Sequence, residues 1–177
     1  MAEFPPPALK QAAEAVTNLL KERNETISVA ETVSGGLISA ALLATPGASR
    51  VYKGGATLYT LESRIAFAGW TQANKDSYEG PNPDLVAGLA KQIRDTLKST
   101  YTVGESGTAG PTSPRDSPNG QPGYVALAVV GDKRTLSRDL NTGLGGDRSA
   151  NMVAFAVEAL KLVEEYIRQD GLPGGKM

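Results

Sequence analysis

The sequence predicts an α/β protein: a three-layer α/β/α fold around a mixed sheet. Two observations carry this. Segments with helical apolar spacing alternate with short β-branched runs, the pattern of helices crossing over a sheet. One pair of runs, Tyr124 to Val130 and Arg134 to Leu140, is joined by Gly131-Asp132, a turn that makes the two antiparallel and the sheet mixed. The chain has 177 residues, 40% hydrophobic and 21% charged, which fits one domain with a proper core. That domain is expected over residues 8–169, with 1–7 and 170–177 as flexible tails.

The elements follow in order. Pro5 to Pro7 precede Ala8 to Arg23, where Leu9, Ala12, Val16, Leu19 and Leu20 keep helical spacing. Thr26 to Ala30 reads as a buried strand, and Leu37 to Leu43 as a helix stopped by Thr45-Pro46-Gly47. Ala56 to Thr60 reads as a strand with a short helix after it, from about Leu61. Asn82-Pro83-Asp84 starts a helix reaching Ser99, with Leu85, Val86, Leu89, Ile93 and Leu97 on its apolar side. Tyr101 to Val103 begins a strand that runs into a long Gly/Pro-rich loop, Gly107 to Gly123, and such loops are often functional or mobile. After the hairpin, the last helix runs from about Asp147 to Gln169.

Composition removes several chemistries. The chain contains no histidine and no cysteine, so a Ser-His-Asp triad, a Cys-His dyad and the usual histidine-bearing zinc sites are excluded. No clustered acidic motif suggests a metal, and no cofactor is expected. A net charge of -1 argues against a nucleic-acid partner, and no apolar run is long enough to cross a membrane. No secretory signal is visible, and the lack of disulfides suits a reducing compartment, so a cytoplasmic location is expected. An apolar strand and small-residue helices make a homo-oligomer the expected state.

Three glycine-rich corners and one helix start hold the candidate site. In Ala30-Glu31-Thr32-Val33-Ser34-Gly35-Gly36 a strand turns into a helix; free N–H groups there suit an anion, or Ser34 is simply an N-cap. Thr45-Pro46-Gly47-Ala48-Ser49 is followed by Tyr59 and Arg64, and its serine reads either as a cap or as a nucleophile. Ser106-Gly107-Thr108-Ala109-Gly110-Pro111 lies at the carboxyl end of a strand, where open α/β sheets bind ligands, or is a flexible exit from the sheet. Gly145-Gly146-Asp147-Arg148 puts a cation in the first turn of a helix, unfavourable to the helix dipole.

Together and in this order the corners resemble the C-terminal domain of competence/damage-inducible protein CinA, whose enzymatic members are nicotinamide mononucleotide deamidases. The family pattern reads approximately A-E-S-C-T-G-G, P-G-S-S, Y-S-N-x-x-K, G-I-A-G-P, K-P-V-G and G-D-R. Its counterparts here are Ala30 to Gly36, Pro46 to Ser49, Tyr59 to Arg64, Gly107 to Pro111, Gln121 to Gly123 and Gly146 to Arg148. The match spans Ala8 to Ile167 without the separate N-terminal domain of full-length CinA, so a stand-alone version is expected. The resemblance implies a Ser/Lys amidohydrolase acting on the carboxamide of nicotinamide mononucleotide, with a small-molecule substrate as partner. It implies Ser49 as nucleophile and Tyr59 as assisting tyrosine. It also implies Ser34, Gly35 and Gly36 at the glycine corner, Gly107 and Thr108 in the substrate wall, and Arg148 as a substrate-binding arginine.

The lysine position holds Arg64. Bringing a lysine from about 10.4 to about 7 costs roughly 5 kcal/mol; an arginine needs roughly 8 kcal/mol and in proteins keeps its proton. The family's serine in E-S-C-T-G-G is Thr32, and its asparagine after the tyrosine is Leu61. Three readings follow. Hydrolysis persists, with Tyr59 and Arg64 sharing the role of the base. Alternatively the protein binds a nucleotide or related anion without hydrolysing it. In the third, a structural or regulatory protein keeps only the fold.

Overall fold

A computed structural model describes residues 3–170. Of the expected tails, residues 1, 2 and 171–177 lie outside this range. Five strands form one sheet in the order β2-β1-β3-β4-β5: β1 Ile27–Glu31, β2 Tyr52–Thr57, β3 Tyr101–Gly107, β4 Tyr124–Val130 and β5 Thr135–Asn141. β1 is parallel to β2 and β3, whereas β3, β4 and β5 are antiparallel, so the sheet is mixed as the hairpin requires.

Helices α1 (Pro7–Arg23), α2 (Leu37–Ala44) and α6 (Arg148–Asp170) cover one face; α5 (Pro83–Leu97) covers the other. The larger core joins Leu9, Val16 and Leu20 of α1 and Leu160 and Val163 of α6 to Val29, Val103 and Leu127 of the sheet. Each such side chain contributes about 1.5–3 kcal/mol of burial, and this layer contains most of them. A smaller cluster under α5 joins Ala30, Leu58, Leu89 and Ile93. β4 reads Tyr-Val-Ala-Leu-Ala-Val-Val because both its faces are covered, and every one of its residues is buried.

Local chemistry sets the helix ends. Pro7 opens α1, and Asn24 closes it at φ 52°. The Asn82 side chain accepts from the Leu85 N–H at the start of α5. Asp147 accepts from the Ala150 N–H at the start of α6, as its sequence position implies.

Three expectations differ from the structure. The second strand lies at Tyr52–Thr57, earlier than Ala56 to Thr60. Gly54 and Gly55 hide it in the sequence, yet a Cβ on Gly55 would sit 2.8 Å from the Val29 carbonyl oxygen, so only glycine allows this approach to β1. β3 extends to Gly107, well past Val103. Two short helices, α3 (Leu61–Phe67) and α4 (Gln72–Asp76), follow β2; the second, with a Thr71/Asn74 capping box, has no counterpart among the expected elements.

Because β1, β2 and β3 run in the same direction, their carboxyl ends open at one edge of the sheet. The corner Thr32 to Gly36, Tyr59 and the loop after Gly107 meet there. The start of α6 is drawn to the same edge by Asn151, whose amide donates to the carbonyls of Ala109 and Gly145 at 2.9 and 2.8 Å.

Candidate functional site

A cleft of about 380 Å³ opens at this edge, walled by Val33, Tyr59, Thr108, Gly110, Pro111 and Arg148. Arg148 spans it, donating to the Gly110 carbonyl at 2.8 Å and to the Tyr59 hydroxyl at 3.2 Å. The cation disfavoured by the α6 dipole is thus held by the loop carbonyl instead. Tyr59 is 57% exposed, so its ring offers a free face to the cleft.

The long loop is tied down rather than loose. Thr108 donates its hydroxyl to the Asn119 carbonyl at 2.9 Å and its N–H to the Tyr124 carbonyl at 2.8 Å. The Asn119 amide reaches the carbonyls of Glu79 and Pro81, both at 3.1 Å. Gly107 serves backbone packing: a Cβ there would lie 2.4 Å from the Tyr124 carbonyl oxygen and 3.0 Å from the Phe155 ring. It touches the cleft as well.

Arg64 is only 3% exposed. Its Nε donates to the Leu58 carbonyl at 3.2 Å and its Nη2 to Ser106 Oγ at 3.4 Å, while Nη1 is buried without a partner among the described residues. The rings of Trp70 and Tyr78 lie 5.1 and 5.2 Å from the guanidinium carbon. Cation–π contact, worth roughly 0.5–2 kcal/mol, takes the place of an acid here. Thr32 Oγ1 donates to the same Ser106 Oγ at 3.1 Å, and both hydroxyl residues are buried. Thr32, Ser106 and Arg64 therefore form one chain of polar groups beneath the cleft. Thr32 stands where the family pattern has serine; that departure was the signal that could have found it.

Ser49 is not part of this arrangement. It lies exposed in a 3₁₀ turn, Ala48–Arg50, ahead of the amino end of β2, whereas Tyr59 follows the carboxyl end. The paired register runs from Ile27–Tyr52 to Glu31–Thr57, so strand rise alone separates the two ends by roughly 13 Å. Within one chain, the expected Ser49/Tyr59/Arg64 trio is therefore corrected to Tyr59 at the cleft, Arg64 beneath it and Ser49 at the opposite edge.

The glycine corner also differs from expectation. Gly35 and Gly36 take φ of 68° and 101°, which turns the chain into α2. Just past those glycines, the first N–H groups of α2 are occupied by the protein's own carboxylate: Glu31 accepts from the N–H groups of Ile38 and Ser39, both at 3.1 Å, and from the Ser39 hydroxyl at 2.7 Å. Ser34 does not cap α2 with its side chain. Its hydroxyl lies 2.7 Å from both Glu31 Oε2 and Glu105 Oε2.

Among the described residues, no group of histidine, cysteine or acidic residues could hold a metal ion. No described helix is long and apolar enough to cross a membrane.

The family described as the CinA C-terminal domain matches residues 9–167. A CinA-like protein of Frankia casuarinae is 31% identical over 162 residues, 92% of this chain and 36% of that protein. A putative competence-damage inducible protein of Streptococcus agalactiae is 33% identical over 156 residues, 88% of this chain and again 36% of the relative. The chain thus spans about a third of the length of these curated relatives. Among solved structures, the competence/damage inducible protein CihA of Agrobacterium tumefaciens superposes with a TM-score of 0.83 at 23% identity, covering 96% of this chain and all of the other. A competence or damage-inducible protein of Enterobacter asburiae superposes at 0.81 and 20% identity, over 90% of this chain and 98% of that one. At these identities the superpositions establish the fold.

Proposed function

The chain belongs to the CinA C-terminal-domain family, and from that premise we propose that it binds a pyridine mononucleotide or a closely related phosphorylated heterocycle in the Tyr59–Arg148 cleft without hydrolysing its carboxamide. The observation that carries this is the state of Arg64. It occupies the family's lysine position, is buried against two rings, and is bonded to the Leu58 carbonyl and Ser106. A guanidinium keeps its proton, so it stabilises negative charge and does not abstract a proton from a hydroxyl.

The cleft suits binding. Arg148 has five N–H donors and uses two of its nitrogens on protein oxygens, leaving donors for a phosphate or carboxylate. The exposed ring of Tyr59 offers a stacking face to a heteroaromatic base. Isothermal calorimetry with nicotinamide mononucleotide and with nicotinate mononucleotide tests the reading directly; no heat with either ligand would sink it. Replacing Arg148 with Ala should weaken binding by about tenfold or more, the scale of one charge-assisted contact.

A second reading, amide hydrolysis, is favoured by the Thr32–Ser106–Arg64 chain, which sets a hydroxyl pair beside a fixed cation. On that reading Thr32 or Ser106 supplies the nucleophile in place of Ser49, and the corner must open to expose them, since both are buried. Ammonia release from nicotinamide mononucleotide separates the two readings. With Arg64→Lys, a gain of activity from a silent wild type supports the binding reading, and loss of an existing activity supports hydrolysis.

A further inference from the structure

Glu31 and Glu105 are both fully buried, and no cation touches either carboxyl among the described residues. Ser34 Oγ lies 2.7 Å from an oxygen of each, yet a hydroxyl has one proton to give. Closing both contacts needs a second proton, on one of the carboxyls. Glu31 is the poorer place for it. Both its oxygens are taken by donors at the start of α2, where the helix dipole favours a negative charge. Glu105 has an oxygen, Oε1, that is buried without any partner among the described residues, and leaving that carboxyl ionised would be costly.

The other oxygen of Glu105 does positional work. Oε2 accepts from the backbone N–H groups of Thr32 at 3.0 Å and Ser34 at 3.1 Å, tying the end of β3 to the turn that leaves β1. That turn contains Val33, a wall of the cleft, and Thr32, whose hydroxyl meets Ser106. We propose that Glu105 is a positioning residue for the cleft: as the protonated member of a Glu31–Ser34–Glu105 hydrogen-bonded chain, it holds the Thr32 to Gly36 corner against the end of β3. Its value to a ligand rests on the binding reading above, whereas the hold itself does not.

The surroundings agree. Burial pushes the Glu105 carboxyl above the ordinary range against the lowering effect of its hydrogen bonds from Ser34 and Thr32, and the charge of Glu31 raises it further. From β2 the titratable neighbour is Tyr52, whose phenol meets Ser39 and is itself held up by burial, so it brings no charge. From α6 the corner meets Met152, and Gly107 meets Phe155; neither titrates. Arg64 belongs to the other face of the sheet and reaches the adjacent Ser106.

Two ligand-free measurements on the whole chain test this. Infrared difference spectra at pH 7 should show a protonated-carboxyl stretching band in the wild type that Glu105→Gln removes; no such band, or one that survives the substitution, overturns the proposal. Amide exchange at Thr32 and Ser34 should quicken by about tenfold or more in Glu105→Ala and stay near wild type in Glu105→Gln, which keeps a neutral acceptor. Unchanged exchange in the alanine variant, or equal loss in both, also overturns it. Should the alanine variant fail to fold, the infrared band and exchange in the glutamine variant decide. Calorimetric silence beside a confirmed band would sink the ligand reading and leave this one standing.

Discussion

Glu105 and Ser106 are neighbours on β3, yet their side chains enter opposite worlds. Among the described residues, Glu105 pairs with a second buried acid and meets no cation, whereas Ser106 meets a buried cation that has no acid. Successive side chains of a strand leave by opposite faces, so the sheet itself keeps the two charge types apart. Each side meets the cost of burial differently. The acid side can retain a proton. A guanidinium keeps its proton, and Arg64 is met by aromatic faces, a carbonyl and a hydroxyl while its Nη1 has no partner among the described residues. A lysine at position 64 could become neutral under the same burial, which is why this one substitution bears so heavily on chemistry.

The largest expected effect breaks the acid side. Replacing Glu31 with Ala strips the acceptor from the N–H groups of Ile38 and Ser39. An unsatisfied buried donor costs ~1–3 kcal/mol, so urea unfolding should show a loss of about 3 kcal/mol, and a loss below about 1 would mean water or Ser34 replaces the carboxylate.

A pH series sharpens the comparison next. A carboxyl whose folded value is raised contributes stability that is complete below the unfolded value and is lost as pH rises through the folded one. Wild-type stability should therefore fall from the ordinary carboxyl range upward, relative to Glu105→Gln. Parallel curves for the two proteins would put the shared proton elsewhere.

The smallest effect falls at the other edge of the sheet. Ser49→Ala should change stability by less than about 0.5 kcal/mol, as exposed surface changes do, and leave calorimetric binding of nicotinate mononucleotide intact. A loss of binding would show that the 3₁₀ turn reaches a cleft, through a second copy of the chain.

Much of the fold was legible because apolar spacing declares itself: α1, α5, β4 and α6 lie within a residue or two of their expected limits. β2 was misplaced because a strand of Tyr-Lys-Gly-Gly-Ala-Thr has alternating exposure and little apolar character to reveal it. The site was half legible. Tyr59, Thr108 and Arg148 do meet at one cleft. Ser49 stands apart from them within one chain, because a motif's order along the chain does not say which end of a strand it occupies. Glu105 is not legible as a buried group, since a lone acid in Val-Gly-Glu-Ser-Gly resembles a strand residue facing solvent.

By itself the sequence determined the α/β class, the mixed sheet, the corners and the exclusion of histidine and cysteine chemistry. These follow from local propensity, periodicity and composition, which need no partner in space. Only the tertiary structure decided who meets whom. Parallel pairing of β1, β2 and β3 gathers Val33, Tyr59 and Thr108 at one edge and leaves Ser49 at the other. It also buries Glu31 beside Glu105, 74 residues later in the chain, and lets one hydroxyl bridge the two. Charge state and reach depend on such neighbours and on the water they exclude, and neither is a property of a residue alone.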